Sequence, residues 1–113
     1  MTRYNTHEAF AQSVRRQVVS TAQAMLDGQL SFLIGSRRLA SLRHEANAAA
    51  DDTDFLVFVA IDSETDALPL GASREHWDRS VLAKLEPEIK EAELWASAVG
   101  TDACKSLIAR FGP

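Results

Sequence analysis

The sequence predicts an all-α fold, a compact single-domain bundle of four or five helices over residues 1–113. Three observations carry this. Apolar residues recur at helical spacing through most of the chain. Capping residues and stop glycines fall at the edges of those segments. The one run that could be read as a strand, from Phe55 to Ile61, has no second strand to pair with. The chain has 113 residues with 46% hydrophobic and 25% charged residues, the balance of one globular domain able to bury a core.

The first helix is expected from Thr6 to about Asp27. Asn5 or Thr6 can cap it, with Glu8 completing a capping box after Asn5. Phe10, Val14, Val18, Ala22 and Met25 form its apolar stripe, and Gly28 stops it. The second is expected from about Leu30 to Ala46 on Leu30, Leu33, Ile34, Leu39, Leu42 and Ala46. Gly35 falls inside it. Either a short helical turn precedes the main helix there, or a neighbouring backbone packs close. A loop from Asn47 to Asp54 follows.

The third segment, Phe55 to Ile61, is apolar at every position, so periodicity does not separate strand from helix. β-branched and aromatic content favours strand. Asp54 favours a helix start, and the missing partner strand decides for helix. The fourth helix is expected from Asp78 or Ser80 to about Ala98 on Val81, Leu82, Leu85, Ile89, Ala92, Ala96 and Val99. Pro87 either kinks it or opens a restarted helix. Glu86, Glu88, Glu91 and Glu93 are assigned to its exposed face, Trp95 is semi-buried in the bundle, and Gly100 ends it. Thr101 then caps a last helix carrying Cys104, Leu107, Ile108 and Phe111 at core spacing.

Composition narrows the function classes. The N-terminal residues contain no apolar signal region, and no apolar run has the length to span a bilayer. Cys104 is alone, which fits a reducing cytoplasm. A formal net charge of −4 disfavours nonspecific nucleic-acid binding. His7, His44 and His76 show no metal spacing, and no glycine-rich phosphate loop or serine elbow occurs. The reading is a non-enzyme without cofactor or metal.

Asp62, Glu64 and Asp66 are the charged candidates. In a helix Asp62 and Asp66 share a face and repel, so they need a cation or a basic protein surface. In a strand all three acids project to one side. An EF-hand does not fit, because Ala67 stands where its glycine is required and Ser73 where its glutamate is required. The internal alternative is that these carboxylates cap the next helix or pair with Arg74 and Arg79. Trp77 either staples its loop to the core or anchors a partner. A second constellation is Arg38 with His44, near Arg37, which shares a helix face with His44. Arg38-x5-His44 resembles the Arg-x(4–6)-His motif of HEPN-type ribonucleases, in which the pair would support phosphoryl transfer on RNA. Leu39 departs from that motif, in which a polar residue follows the arginine.

The run Ile61-Asp62-Ser63-Glu64-Thr65-Asp66, followed by Leu68-Pro69-Leu70-Gly71 and then Arg74 and Trp77, resembles a group of small bacterial proteins of uncharacterised activity. Their signature is IDSETD-x-LP-x-G. Proteins of this style look like immunity proteins of contact-dependent or polymorphic toxin systems. The resemblance implies a protein partner, a basic toxin domain neutralised by occlusion. It transfers no catalytic residue. The leading expectation is a cytoplasmic protein-binding module using Asp62, Glu64, Asp66 and Trp77, with Glu88 and Glu91 as further acids. A HEPN-like ribonuclease is the alternative, and a self-associating helical module is a third.

Overall fold

The computed structural model describes residues 6–112, which contain four α-helices, one 3-10 helix and no strand. Helix α1 spans Thr6–Leu26, α2 Phe32–Leu42, α3 Thr53–Thr65 and α4 Arg79–Phe111. The 3-10 helix, Gly71–His76, leads into α4. The all-α bundle expected from the sequence is the fold that forms.

Helix α1 buries Ala11, Val14, Val18, Ala22 and Met25. Phe10 was expected on that stripe and is 52% exposed, because Ala11 takes the inward position three residues before Val14. Gly28 stops the helix as expected, at φ 77. There the Gln29 N–H donates to Ala24 O at 2.9 Å and the Gly28 N–H to Met25 O at 3.3 Å, which closes the last carbonyls. The expected Asn5 cap lies outside the described residues.

Ser31 caps α2, its hydroxyl accepting from the N–H groups of Leu33 and Ile34. Gly35 does not interrupt the helix, since its N–H bonds to Ser31 O at 2.8 Å. It is there for space. A Cβ at Gly35 would run into the side chain of buried Met25, so the close neighbour is a side chain of α1, not a backbone. Regular helix ends at Leu42, short of the expected Ala46. A turn carries the chain on to Asn47, whose φ of 60 reverses it.

Helix α3 confirms the helical reading of the apolar run. Phe55, Phe58, Ile61 and Thr65 face the core at spacings of three and four. Its cap is Asp52 instead of Asp54: the Asp52 carboxylate accepts from Asp54 N and Phe55 N. Asp54 instead reaches α4, accepting from Ser106 Oγ at 2.6 Å and from Arg110 Nη1 at 2.8 Å. Arg110 Nη2 also donates to Asp52 Oδ2 at 2.6 Å. This guanidinium holds the Asp52 carboxyl below the usual carboxylate range, against the opposing effect of its burial. The Arg110 and Arg15 guanidiniums both lie over the Phe111 ring, at 4.8 and 5.4 Å.

One correction reshapes the last third of the chain. Gly100 does not end a helix and Thr101 does not start one; both lie inside a single 33-residue α4. Thr101 Oγ1 donates back to Ser97 O at 2.6 Å, which a helix-interior threonine does and an N-cap does not. Gly100 is buried among Phe32, Phe58 and Ile61. The helix also runs through Pro87, which neither restarts it nor stands at its first turn. Both Pro87 and Ala83 are exposed, so the carbonyl that loses its donor faces water. Asp78 caps the start, accepting from Ser80 N at 2.8 Å. A helix of this length measures about 50 Å. It fits only along the 60 Å axis of a molecule 28 and 25 Å across.

The two helix-interior glycines should respond oppositely to alanine. Gly100→Ala adds a methyl at ordinary contact distance and should raise stability in urea unfolding by about 0.5–1 kcal/mol. Gly35→Ala forces Met25 to move and should lower it by about 1–2 kcal/mol.

The Asp52–Arg110 pair sets an acid limit. A carboxylate depressed on folding contributes stability above its ordinary value of 3.8, and this is lost as pH falls through the lower folded value. Unfolding midpoints measured from pH 5 to pH 2 should therefore fall more steeply for the parent chain than for Asp52→Asn.

Candidate functional site: the acidic end of α3 and the outer face of α4

Helix α3 carries its polar residues at its C-terminal end. Because the backbone stays helical through Thr65, Asp62 and Glu64 point to different sides. Asp62 is half-buried and faces Arg37 of α2, with Arg37 Nε 3.6 Å from Asp62 Oδ1. The same guanidinium donates through Nη2 to Thr65 O at 2.6 Å and Leu68 O at 3.1 Å. A cation thus closes the carbonyl end of α3, where the helix dipole favours it. Asp62 belongs to an internal pair, but its partner is Arg37 and not Arg74 or Arg79. Arg74 is engaged elsewhere, with Glu86 at 3.2 Å. Glu64 and Asp66 are exposed at the surface.

The chain then turns through Leu68, buried Pro69 and Leu70. The Ser73 hydroxyl donates to Leu70 O at 2.6 Å and accepts from Leu70 N at 3.2 Å, which fixes the entry to the 3-10 helix. Trp77 follows directly, 40% exposed, its backbone N–H donating to Arg74 O. It neither sinks into the core nor stands fully clear of the surface.

The outer face of α4 was not legible as a unit in the sequence. Val81, Trp95 and Val99 were expected in or against the bundle; they are 39%, 41% and 43% exposed. Treating Gly100 as a stop hid the inward register. With the helix continuous, the step inward from Ala96 is four residues, to buried Gly100, and Val99 turns outward. Glu88, Glu91, Trp95, Val99 and Asp102 then fall on one face at spacings of three and four, all exposed. Leu94, at 75% exposure, stands on the neighbouring row. An indole and two aliphatic side chains are therefore set among carboxylates.

The remaining acids of α4 point elsewhere. Glu93 was expected on the exposed face, yet it is half-buried and reaches the start of α2. Its carboxylate accepts from Ser31 Oγ at 2.7 Å and from Phe32 N. Glu86 is held by Arg74. Cys104 is fully buried, as its place on an apolar stripe predicted, and burial pushes its thiol up to about 12. It is a core residue without thiolate character at neutral pH. Arg38 is exposed on α2, while His44 lies in the turn beyond Leu42, so the expected shared helix face of Arg37 and His44 ends before the histidine. Among the described residues no group of three or more His, Cys, Asp or Glu side chains could hold a metal ion. Among the described residues no helix is long and apolar enough to cross a membrane.

The Arg37 contacts separate structural from free carboxylates. Arg37→Ala should cost about 1.5–3 kcal/mol in denaturant unfolding, because it strands two carbonyls and an acid. Asp62→Asn should cost less than about 1 kcal/mol, as expected for a long, partly exposed pair.

Comparison with family models, with curated proteins and with solved structures gives no match to this chain, so its function is read from its own residues.

Proposed function

We propose that this chain is a non-enzymatic protein-binding module whose partner presents a basic surface. The observation that carries this reading is the outer face of α4. Trp95 and Val99 stand exposed on the same stripe as Glu88, Glu91 and Asp102. Exposed aromatics of this kind supply most of the binding energy at protein interfaces once a partner excludes water from them. Carboxylates around them speed encounter with a basic surface and disfavour acidic partners. Glu64, Asp66 and Trp77 extend the same chemistry to the α3 end of the molecule. Asp62 contributes less than the sequence implied, because Arg37 already neutralises it. Binding by occlusion needs a rigid, correctly shaped face and no catalytic group. A basic toxin domain is the partner that the signature between Ile61 and Gly71 implies, with this chain as its immunity protein.

The test begins with the neighbouring gene, which this reading expects to encode a toxin domain; affinity for that domain is followed by calorimetry and protection by growth of cells expressing it. Trp95→Ala and Glu91→Lys should each weaken binding at least about tenfold, with unchanged unfolding midpoints. Higher salt should slow association with the parent chain. Unchanged affinity in both variants would remove α4 from the interface. Cleavage of RNA by the purified parent chain, lost in His44→Ala, would replace the binding module with a ribonuclease.

A further inference from the structure

A second polar site lies away from the acidic face, in the groove between α1 and α2. It encloses about 460 Å³ and is lined by Ser13, Arg16, Gln17, Ser20, Thr21 and Arg38. Every lining side chain is polar, and none is acidic. Arg16 and Arg38 are both exposed, and neither forms an ion pair among the described residues. The setting is favourable for an anion, since of all the carboxylates only Glu8, Asp27 and Glu45 precede Asp51 in the chain. Asp27 lines the neighbouring groove, where it accepts from Gln23.

Thr21 supplies an independent observation. It is only 5% exposed, yet its hydroxyl has no hydrogen-bond partner among the described residues. The other threonines inside helices behave differently. Thr65 and Thr101 donate to the carbonyl four residues back, at 2.7 and 2.6 Å. The same bond from Thr21 would go to Gln17 O, and it is not made. The Thr21 hydroxyl is therefore uncommitted within the chain, and Thr21 lines the same groove as Arg16 and Arg38, where a ligand can reach it.

We infer that this groove binds a phosphate group carried by a small molecule. Two guanidiniums supply the charge and the forked donors that phosphate oxygens accept. Thr21, Ser13 and Ser20 supply hydroxyl donors, and the Gln17 amide supplies another. Most carboxylates lie from Asp51 onward, so a long polyanion extending beyond the groove onto α3 and α4 meets repulsion.

Titration of the full chain with inorganic phosphate and with phenyl phosphate, followed by amide NMR shifts, tests this. Saturable shifts confined to residues 13–21 and to Arg38 are expected, and chloride at matched ionic strength should not produce them. Arg16→Gln and Arg38→Gln, both at exposed positions, should each weaken binding about tenfold or more. Thr21→Val keeps the side-chain shape and should weaken binding several-fold without lowering the unfolding midpoint. Shifts that match those from chloride, or saturable binding that survives both arginine changes, would overturn the site. A short single-stranded RNA that binds more tightly than phosphate, with shifts spread beyond the groove, would overturn the assignment to a small phosphorylated molecule.

Discussion

Helix α3 is held at both ends by arginine, and the rest of the bundle depends on it. Its first turn is tied to Arg110 through Asp52 and Asp54, and its last carbonyls are tied to Arg37. The middle of the helix is apolar on nearly every side, so burial alone gives it little rotational preference. Directional contacts at the termini supply that preference. They turn Phe55, Phe58 and Ile61 inward and leave Leu56 at the surface.

The same device recurs. Glu93, from the middle of α4, accepts from the first N–H groups of α2, and Arg15 of α1 donates to Ala46 O at 3.0 Å in the turn after α2. Anions meet helix starts and cations meet helix ends, as the alignment of peptide dipoles requires. Each contact spans a large distance along the chain, so each fixes the placement of one helix against another. The surface that remains free is what is left after these internal assignments. Asp62, Glu86 and Glu93 are committed inside, whereas Glu88, Glu91 and Asp102 are available to a partner.

Much of the fold was legible in the sequence, because the strongest signals there are local. The stripe of α1, its stop at Gly28 and the start of α4 at Asp78 follow from spacing and capping chemistry. Helix α3 was read correctly from the lack of a partner strand. The misreadings came where a residue has two physical uses. Gly35 is small for the sake of Met25 on α1, whereas Gly100 is a buried helix-interior residue with room for a methyl against Phe32, Phe58 and Ile61. Nothing in the residues flanking Gly100 separates a helix-interior glycine from a helix stop, and at Gly35 the close-packing alternative held, with a side chain as the neighbour. The candidate site was half legible for the same reason. The acids near Asp62 stand out in sequence, but the Glu88 to Asp102 face emerges only once the helix is known to continue through Gly100. Arg37 as the partner of Asp62 was out of reach, since the pairing depends on how α2 and α3 pack.

The continuity of α4 also bears on the order in which the protein can be completed during synthesis. Glu93 steadies the start of α2, Ser106 and Arg110 steady the start of α3, and Phe111 stacks beneath Arg15 of α1. All of these groups lie in the last helix. The first three helices can pack on one another beforehand, with Arg37 closing the end of α3, but the faces they turn toward α4 stay uncovered and the starts of α2 and α3 lack their α4 partners. They remain so until the segment from Glu93 to Phe111 has emerged, so the bundle closes late, in one cooperative step led by α4.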